Sequence, residues 1–361
     1  MTNAAIFPIL GAMNPPRAEG KLAEGKLAEG KLPPELLERL LRHTSRSSLL
    51  TVGAFPGEDA AVAAGSDTLV LTADPITFTD ERIGAYTVAV NANDIVAMGG
   101  RPIYLTTTIL LPPGTGETEV ERIFEDIADA CRKAGLLWVG GHTEVTPVVK
   151  RTIVAGQAVG FLFRAPLSTG GARLGDALCM SKWVGLEGTT TIARERPAES
   201  RETLGEQGFR AVLGWLDDPG ISIVEEGRTL EGLPLTSGHD PTEGGVAMGI
   251  HEICRRSGTG ALVVFDALPV REETRRLCAR FAMDPLGLLS SGVFLFTAVR
   301  GVAEEACRLL LARQIPASII GEIREQKEGV TIQRGSKRGS KREALPFSVQ
   351  DEIAKLRRTG P

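Results

Sequence analysis

Residues 88–111 read VAVNANDIVAMGGRPIYLTTTILL, and the organisation of the chain can be read outward from them. The stretch from Glu81 to Met98 has helical length and composition and is stopped by Gly99-Gly100. Ile103–Leu111 then reads as a strand. The helix is apolar on nearly all sides, yet it carries Asp94. A buried, unpaired carboxylate costs several kcal/mol, so Asp94 needs a cation or hydrogen-bond donors. Asn91, three residues earlier, shares its helical face.

On the N-terminal side, Thr68–Thr72 (TLVLT) is strand-like, with Asp74 at its end. On the C-terminal side, Glu117–Lys133 is an amphipathic helix with Val120, Ile123, Phe124, Ile127, Ala128 and Cys131 on one face and Gly135 as its stop. Leu136–Val139 and Thr152–Phe163 follow as strands. Arg164–Asp176 is rich in Gly, Pro and Ser and marks a boundary. Beyond it the alternation resumes. Strands are expected at Ala177–Ser181, Ala261–Phe265, Val293–Val299 and Ala317–Ile323. Helices are expected at Arg201–Trp215, Glu243–Arg256, Glu272–Phe281 and Val302–Arg313. Both halves therefore read as α/β or α+β layers. The expected division is a flexible extension over 1–32, one domain over 33–165, a second over 166–335 and a basic tail over 336–361. The extension contains AEGKL three times over (18–32), and GSKR occurs twice at 335–342. These repeats are too short to be solenoid units and suit surface segments. Pro33-Pro34-Glu35 opens a helix with a Leu36, Leu37, Leu40, Leu41 stripe.

The 361 residues carry a net charge of −4 and are 42% hydrophobic, which suits a soluble globular protein and argues against nucleic acid as the main partner. No apolar run is long enough for a membrane span. The N-terminus lacks a basic-then-apolar signal. Five scattered cysteines without a CxxC read as reduced, buried thiols of a cytoplasmic protein and make a zinc site unlikely. Glycine is in excess at 42 residues, while only 5% of residues are aromatic. Gly99-Gly100, Gly140-Gly141, Gly170-Gly171 and Gly244-Gly245 stand at or beside the acidic stretches, where backbone could approach a phosphate-bearing ligand.

Five acids stand out: Asp59 in GEDAAV, Asp74, Asp94, Glu144 in GGHTEV just after a strand, and Asp240 in HDPTEGG at a helix start. Each has an ordinary reading. Asp240-Pro241-Thr242-Glu243 is a good helix cap, Asp74 before Pro75 could start a turn, Asp59 could be a turn acid and Asp94 could pair with an arginine. In combination, acids at strand ends beside paired glycines suit Mg²⁺ held with a polyphosphate. Gly244-Gly245 at a helix N-terminus suits an anion. There is no GxxxxGK[ST] loop, no GxGxxG after a strand, no G-x-S-x-G and no HExxH, so a nucleotide site would be of a less common type.

GEDAAV (57–62), TADPITF (72–78), NANDIVAMGGRP (91–102), GGHTEV (140–145), GARLGD (171–176), LEGT (186–189) and HDPTEGG (239–245) stand in the order seen in the PurM-like superfamily. That superfamily includes AIR synthase, selenophosphate synthetase, thiamine-monophosphate kinase and HypE. Over roughly residues 31–330 the chain resembles this superfamily, and its HypE branch most. The resemblance implies a two-domain α/β (α+β) fold whose N-terminal domains pair across a homodimer into a β-barrel, with ATP near that interface. It implies that Asp59, Asp74, Asp94 and Glu144 hold Mg²⁺ and ATP, with Asn91, Asn93 and Gly141 beside them. It also implies that Asp240, Thr242, Gly244 and Gly245 face the same cleft. Asp240 is thereby a fifth metal candidate. Lys31 matches a phosphate-contacting Gly-Lys, although Lys21 and Lys26 stand in identical context. His142, two residues from Glu144, is the best acid–base candidate, with Asp240 and Glu243.

The implied chemistry is ATP-dependent phosphorylation of a carbonyl or amide oxygen, as in hydrogenase maturation. In the HypE branch the substrate is a carbamoylated cysteine at the protein's own C-terminus. This chain instead ends KLRRTGP, and its last cysteine is Cys307, inside an expected helix. A separate small-molecule or carrier-protein substrate is therefore expected. The alternatives are a small-molecule kinase resembling thiamine-monophosphate kinase, or a non-catalytic nucleotide-binding assembly protein.

Overall fold

The computed structural model describes residues 35, 38, 50–52, 55–58, 60–63, 68–77, 79, 81–162, 165–335, 341–347 and 350–358. The AEGKL repeat, Lys31 and Asp59 lie outside these residues, as does most of the expected helix at Pro33, of which Glu35 and Glu38 are helical and exposed.

The first half is built on a six-stranded mixed sheet in the order β1-β2-β3-β6-β4-β5. Its strands are β1 (Leu50–Val52), β2 (Ala61–Ala63), β3 (Thr68–Ile76), β4 (Arg101–Leu111), β5 (Leu137–Val145) and β6 (Ile153–Leu162). Helices α1 (Ile83–Ala97) and α2 (Glu117–Ala134) cover one face. β3 runs past its expected end because β6 pairs with it as far as Ile76↔Val154. Asp74 therefore sits within the strand. Pro75 is tolerated there because, among the described residues, β2 pairs only with Leu69–Leu71 and nothing pairs with that side of β3 at Pro75. Likewise β5 continues through Gly140-Gly141 to Val145, held by parallel pairing with β4. His142 and Glu144 thus lie inside the strand and not after it.

The second half holds a seven-stranded mixed sheet, β13-β12-β9-β11-β7-β10-β8. Here β7 is Ala177–Ser181, β8 Ser237–His239, β9 Thr259–Val264, β10 Leu295–Ala298, β11 Ala317–Glu325, β12 Val330–Arg334 and β13 Lys341–Ala344. Helices α3 (Leu186–Glu195), α4 (Pro197–Leu213), α5 (Val224–Leu230), α6 (Gly245–Ser257), α7 (Glu272–Arg280), α8 (Arg300–Ala312) and α9 (Ala354–Arg358) complete it. The expected basic tail supplies β13 to this sheet and contains α9. α6 begins at Gly245, after Gly244 in the left-handed region (φ 77°), so Asp240 stands outside the helix and does not cap it. Neither sheet closes into a barrel among the described residues.

One apolar core runs from the helix-covered face of the first sheet through α1 into Ile221, Val224, Phe294 and Leu310 of the second half. That continuity explains why α1 is apolar on every side: it is buried against both halves. All five cysteines are buried and reduced. Burial pushes the thiols of Cys131, Cys254 and Cys278 up to about 11, 12 and 12 respectively. Among the described residues, no helix is long and apolar enough to cross a membrane.

Candidate functional site

The site begins where β3 lies against α1. Thr72 Oγ1 donates to Asp94 Oδ2 at 2.5 Å, which supplies one of the donors that a carboxylate only 7% exposed requires. One turn earlier, Asn91 clamps β3 from both sides of its amide. Its Oδ1 accepts from Asp74 N at 3.1 Å and its Nδ2 donates to Asp74 O at 3.3 Å. Asp74, Asn91 and Asp94 are therefore brought together by one helix face meeting one strand.

Asn93 turns the other way. Its Nδ2 donates to Ile221 O at 2.9 Å and its Oδ1 accepts from Ile223 N at 2.8 Å, so both ends of the amide join α1 to the second half of the chain. The same junction brings in the second acidic stretch. Leu167 N donates to Met98 O at 2.9 Å, and a Cβ built on Gly238 would stand 2.5 Å from Ala97 O. Only glycine lets β8 approach the end of α1 this closely. Asp240, two residues on, is buried beside that junction.

His142 and Glu144 are placed elsewhere. Asp74, Gly156, Thr107 and Gly141 are consecutive partners across β3, β6, β4 and β5, so Asp74 and Gly141 are three strand spacings apart, about 14 Å. His142 and Glu144 pair with Thr108 and Leu110, which alternate with the buried Thr107 and Ile109 and so point to the uncovered face. Their side chains are 67% and 50% exposed, and His142 Nε2 lies 3.4 Å from Glu144 Oε2. Within one chain, then, Asp74 and Asp94 are on the helix side of the sheet, and His142 and Glu144 are on the other side. Among the described residues, no three acidic, histidine or cysteine side chains converge to hold a metal by themselves.

In the HDPTEGG segment, Gly244 N donates to Asp351 Oδ2 at 2.8 Å and Gly245 N to Thr242 O at 3.1 Å. Thr242 O also accepts from Ser290 N. Behind Glu243 lie two carboxyls that sequence reasoning passed over. Burial raises Glu187 to about 7, against hydrogen bonds from Ser291 that lower it, and raises Asp351 to about 6. Glu187 stood in view in LEGT, but nothing in the sequence signals its burial. Glu58, beside Asp59, was also missed: its side chain is 1% exposed and ion-paired with Arg256.

A groove of about 830 Å³ runs along the N-terminal half of α1 past Arg82, Asp126, Lys182 and Asp217. Among the described residues, none of the expected acids Asp74, Asp94, Glu144 and Asp240 lines it.

Residues 57–162 match the N-terminal domain of the family described as AIR synthase related protein, and residues 174–333 match its C-terminal domain. The chain belongs to the AIR synthase-related family. Within the family it is 31% identical over 302 residues to the hydrogenase expression/formation protein HupE of Azotobacter chroococcum, covering 80% of this chain and 84% of that one. It is 30% identical over 297 residues to the carbamoyl dehydratase HypE of Azotobacter vinelandii, covering 80% and 83%. Among solved structures, a HypE–HypF complex matches with a TM-score of 0.65 at 25% identity over 80% of this chain and 93% of that one. HypE in complex with ATP matches with a TM-score of 0.66 at 24% identity over 82% and 90%, a likeness of fold.

Proposed function

We propose that this protein is an ATP- and Mg²⁺-dependent enzyme that activates a carbonyl or amide oxygen by phosphorylation, acting as a homodimer on a separate small-molecule or carrier-protein substrate. The observation that carries this reading is the joint between α1 and β3, where Asp74 and Asp94 stand together with Thr72 and Asn91 supporting them. One or two carboxylates completed by phosphate oxygens and water is the donor set Mg²⁺ prefers, so the residues fit the ion. Bound Mg²⁺ would neutralise charge on the phosphates of ATP. Asp74 and Asp94, with Asp59 from the preceding segment, are the proposed ligands in the first half, and Lys31 is a proposed phosphate contact.

Asp240 would face the same nucleotide from the second half. Thr242, Gly244 and Gly245 would shape the turn behind Asp240, and Asn93 would hold the two halves in register. Gly141 would let β5 pack closely against β4. His142 and Glu144 would complete the site from the uncovered face, where a second copy of the chain would bring them to the nucleotide. His142, Asp240 and Glu243 are the proposed proton-handling groups. In such a reaction the substrate oxygen takes the γ-phosphoryl group, ADP leaves, and loss of phosphate completes a dehydration. One observation supports an acceptor outside the chain: each of the five cysteines here is buried.

The test is calorimetry with Mg·ATP, followed by product analysis with carbamoyl or thiocarboxamide acceptors. Asp94→Asn keeps the partner of Thr72 but removes the charge. It should weaken Mg·ATP by about 10- to 100-fold while leaving the melting temperature within a few degrees. Unchanged affinity would displace the site from α1. ADP with free phosphate supports the dehydratase reading, whereas ADP with a phosphorylated acceptor would make the protein a kinase.

A further inference from the structure

Helix α6 touches segments of both halves of the chain through two residues one turn apart. Glu252 Oε2 lies 2.8 Å from His239 Nε2, the residue before Asp240. Arg256 lies four residues on, on the same helical face. Its Nε and Nη2 donate to Glu58 Oε1 at 3.0 and 2.6 Å. Its guanidinium also stands over the Phe55 ring at 4.7 Å. Glu58 belongs to the GEDAAV stretch of the first half, whereas α6 belongs to the second. Ser168 of the connecting segment donates to the same Glu58 oxygen at 2.9 Å, and its Oγ accepts from Gly170 N at 3.1 Å. Glu58 Oε2 is buried without a hydrogen-bond partner among the described residues. Arg256 therefore supplies the cation that keeps this carboxylate buried.

We infer that α6 is the spacer that sets the separation of the two halves of the proposed nucleotide site. Arg256 acting through Glu58, and Glu252 acting through His239, are positioning residues that hold the start of the first acidic segment and the end of β8 at one separation. The inference rests on the ATP reading above and adds to it how the two halves of the site are kept in register. Neither Glu252 nor Arg256 needs to touch the nucleotide. Their effect is geometric, because both contacts are side-chain bonds from a single rigid element to segments that differ in sequence position by about 180 residues.

The full chain is compared with Arg256→Ala, Arg256→Lys, Glu58→Gln, Glu252→Gln and the Glu58→Gln/Arg256→Ala double variant. Two readouts are taken: calorimetric affinity for ATP with and without Mg²⁺, and amide hydrogen exchange. Arg256→Ala should weaken Mg·ATP about tenfold or more and metal-free ATP far less, and Arg256→Lys should recover part of the loss. The double variant should lose no more than the worse single one, because both remove one contact. Exchange should accelerate in residues 55–58 and 237–240 together. Unchanged Mg·ATP affinity in a folded Arg256→Ala protein overturns the inference, as does faster exchange confined to α6. If Arg256→Ala does not fold, Arg256→Lys and Glu252→Gln carry the same comparison. A wild-type chain that binds no Mg·ATP removes the functional reading, and the exchange pattern then decides by itself whether α6 couples the two segments.

Discussion

The two sheets of this chain solve burial differently. In the second half, β7 and β10 are buried at every position. In the first half, β4 and β6 alternate between buried and partly exposed residues, because helices cover only one face. The uncovered face carries a row of apolar side chains. Leu71 and Tyr104 are each 39% exposed, Leu137 is 59% and Val139 is 58%, and Tyr104 packs edge-on against Phe161. A row of exposed apolar side chains of this kind is what a protein–protein contact buries. His142 and Glu144 stand on it. The second half has a finished core, whereas the first half leaves apolar side chains on its uncovered face, which the proposed homodimer would cover.

The largest expected effect tests that difference directly. Tyr104→Glu combined with Leu137→Glu should turn a dimer into a monomer in sedimentation velocity, weakening association on the order of 100-fold or more, since buried unpaired carboxylates cost several kcal/mol. A wild-type chain that sediments as a monomer would break the comparison. Next is Gly141→Ala. Its Cβ would lie 1.9 Å from Thr107 O, a collision of side chain with backbone, whereas Gly140→Ala meets nothing within 4 Å. A loss of about 2–4 kcal/mol in chemical denaturation is expected for Gly141→Ala, and about 1 kcal/mol for Gly140→Ala, whose φ is also positive. Equal losses would show that β5 is not seated as described.

A smaller effect belongs to the second half. Burial raises Glu187 to about 7, above the ordinary glutamate value. For an acid shifted upward, the stability contributed by the neutral form is present below the unfolded value and is lost as pH rises through the folded one. Wild-type stability should therefore fall between about pH 4.5 and 7 relative to Glu187→Gln, by at most about 3 kcal/mol, and level off above that. Parallel pH profiles for the two proteins would discard the buried-carboxyl account. The smallest effect is expected at Cys307, which is 9% exposed within α8. Cys307→Ser should change ATP turnover less than about twofold if the acceptor is separate from the chain.

Much of the fold was legible because periodicity survives in single elements. The amphipathic stripe of α2 and its closing Gly135 (φ 74°) are where the sequence puts them. The helix–Gly-Gly–strand passage from α1 to β4 is as well. Element ends were less legible. β3 and β5 were read short because their continuations contain Asp-Pro and Gly-Gly, and pairing with β6 and β4 outweighs those local signals. The cap read at Asp240 failed for a related reason: Gly244 takes the left-handed turn and starts α6 later. In the site, Asp94 was legible because a carboxylate in an apolar helix demands partners. Thr72, Glu58, Glu187 and Asp351 were not, since what matters at each is the group it meets, 22 or more residues away.

Sequence alone determined the two α/β halves, the apolar helix bearing Asp94, and the family, because these depend on composition, short-range spacing and the order of segments. Tertiary structure decided which side of each element a residue serves. Asn91 and Asn93 are two residues apart on one helix, yet the first clamps Asp74 and the second ties α1 to Ile221 and Ile223. Asp74 and Glu144 both read as strand acids, yet they lie on opposite faces of one sheet. The reason is physical: a helix face or strand side acquires a role only from what packs against it, and the packing partners are far away in the chain.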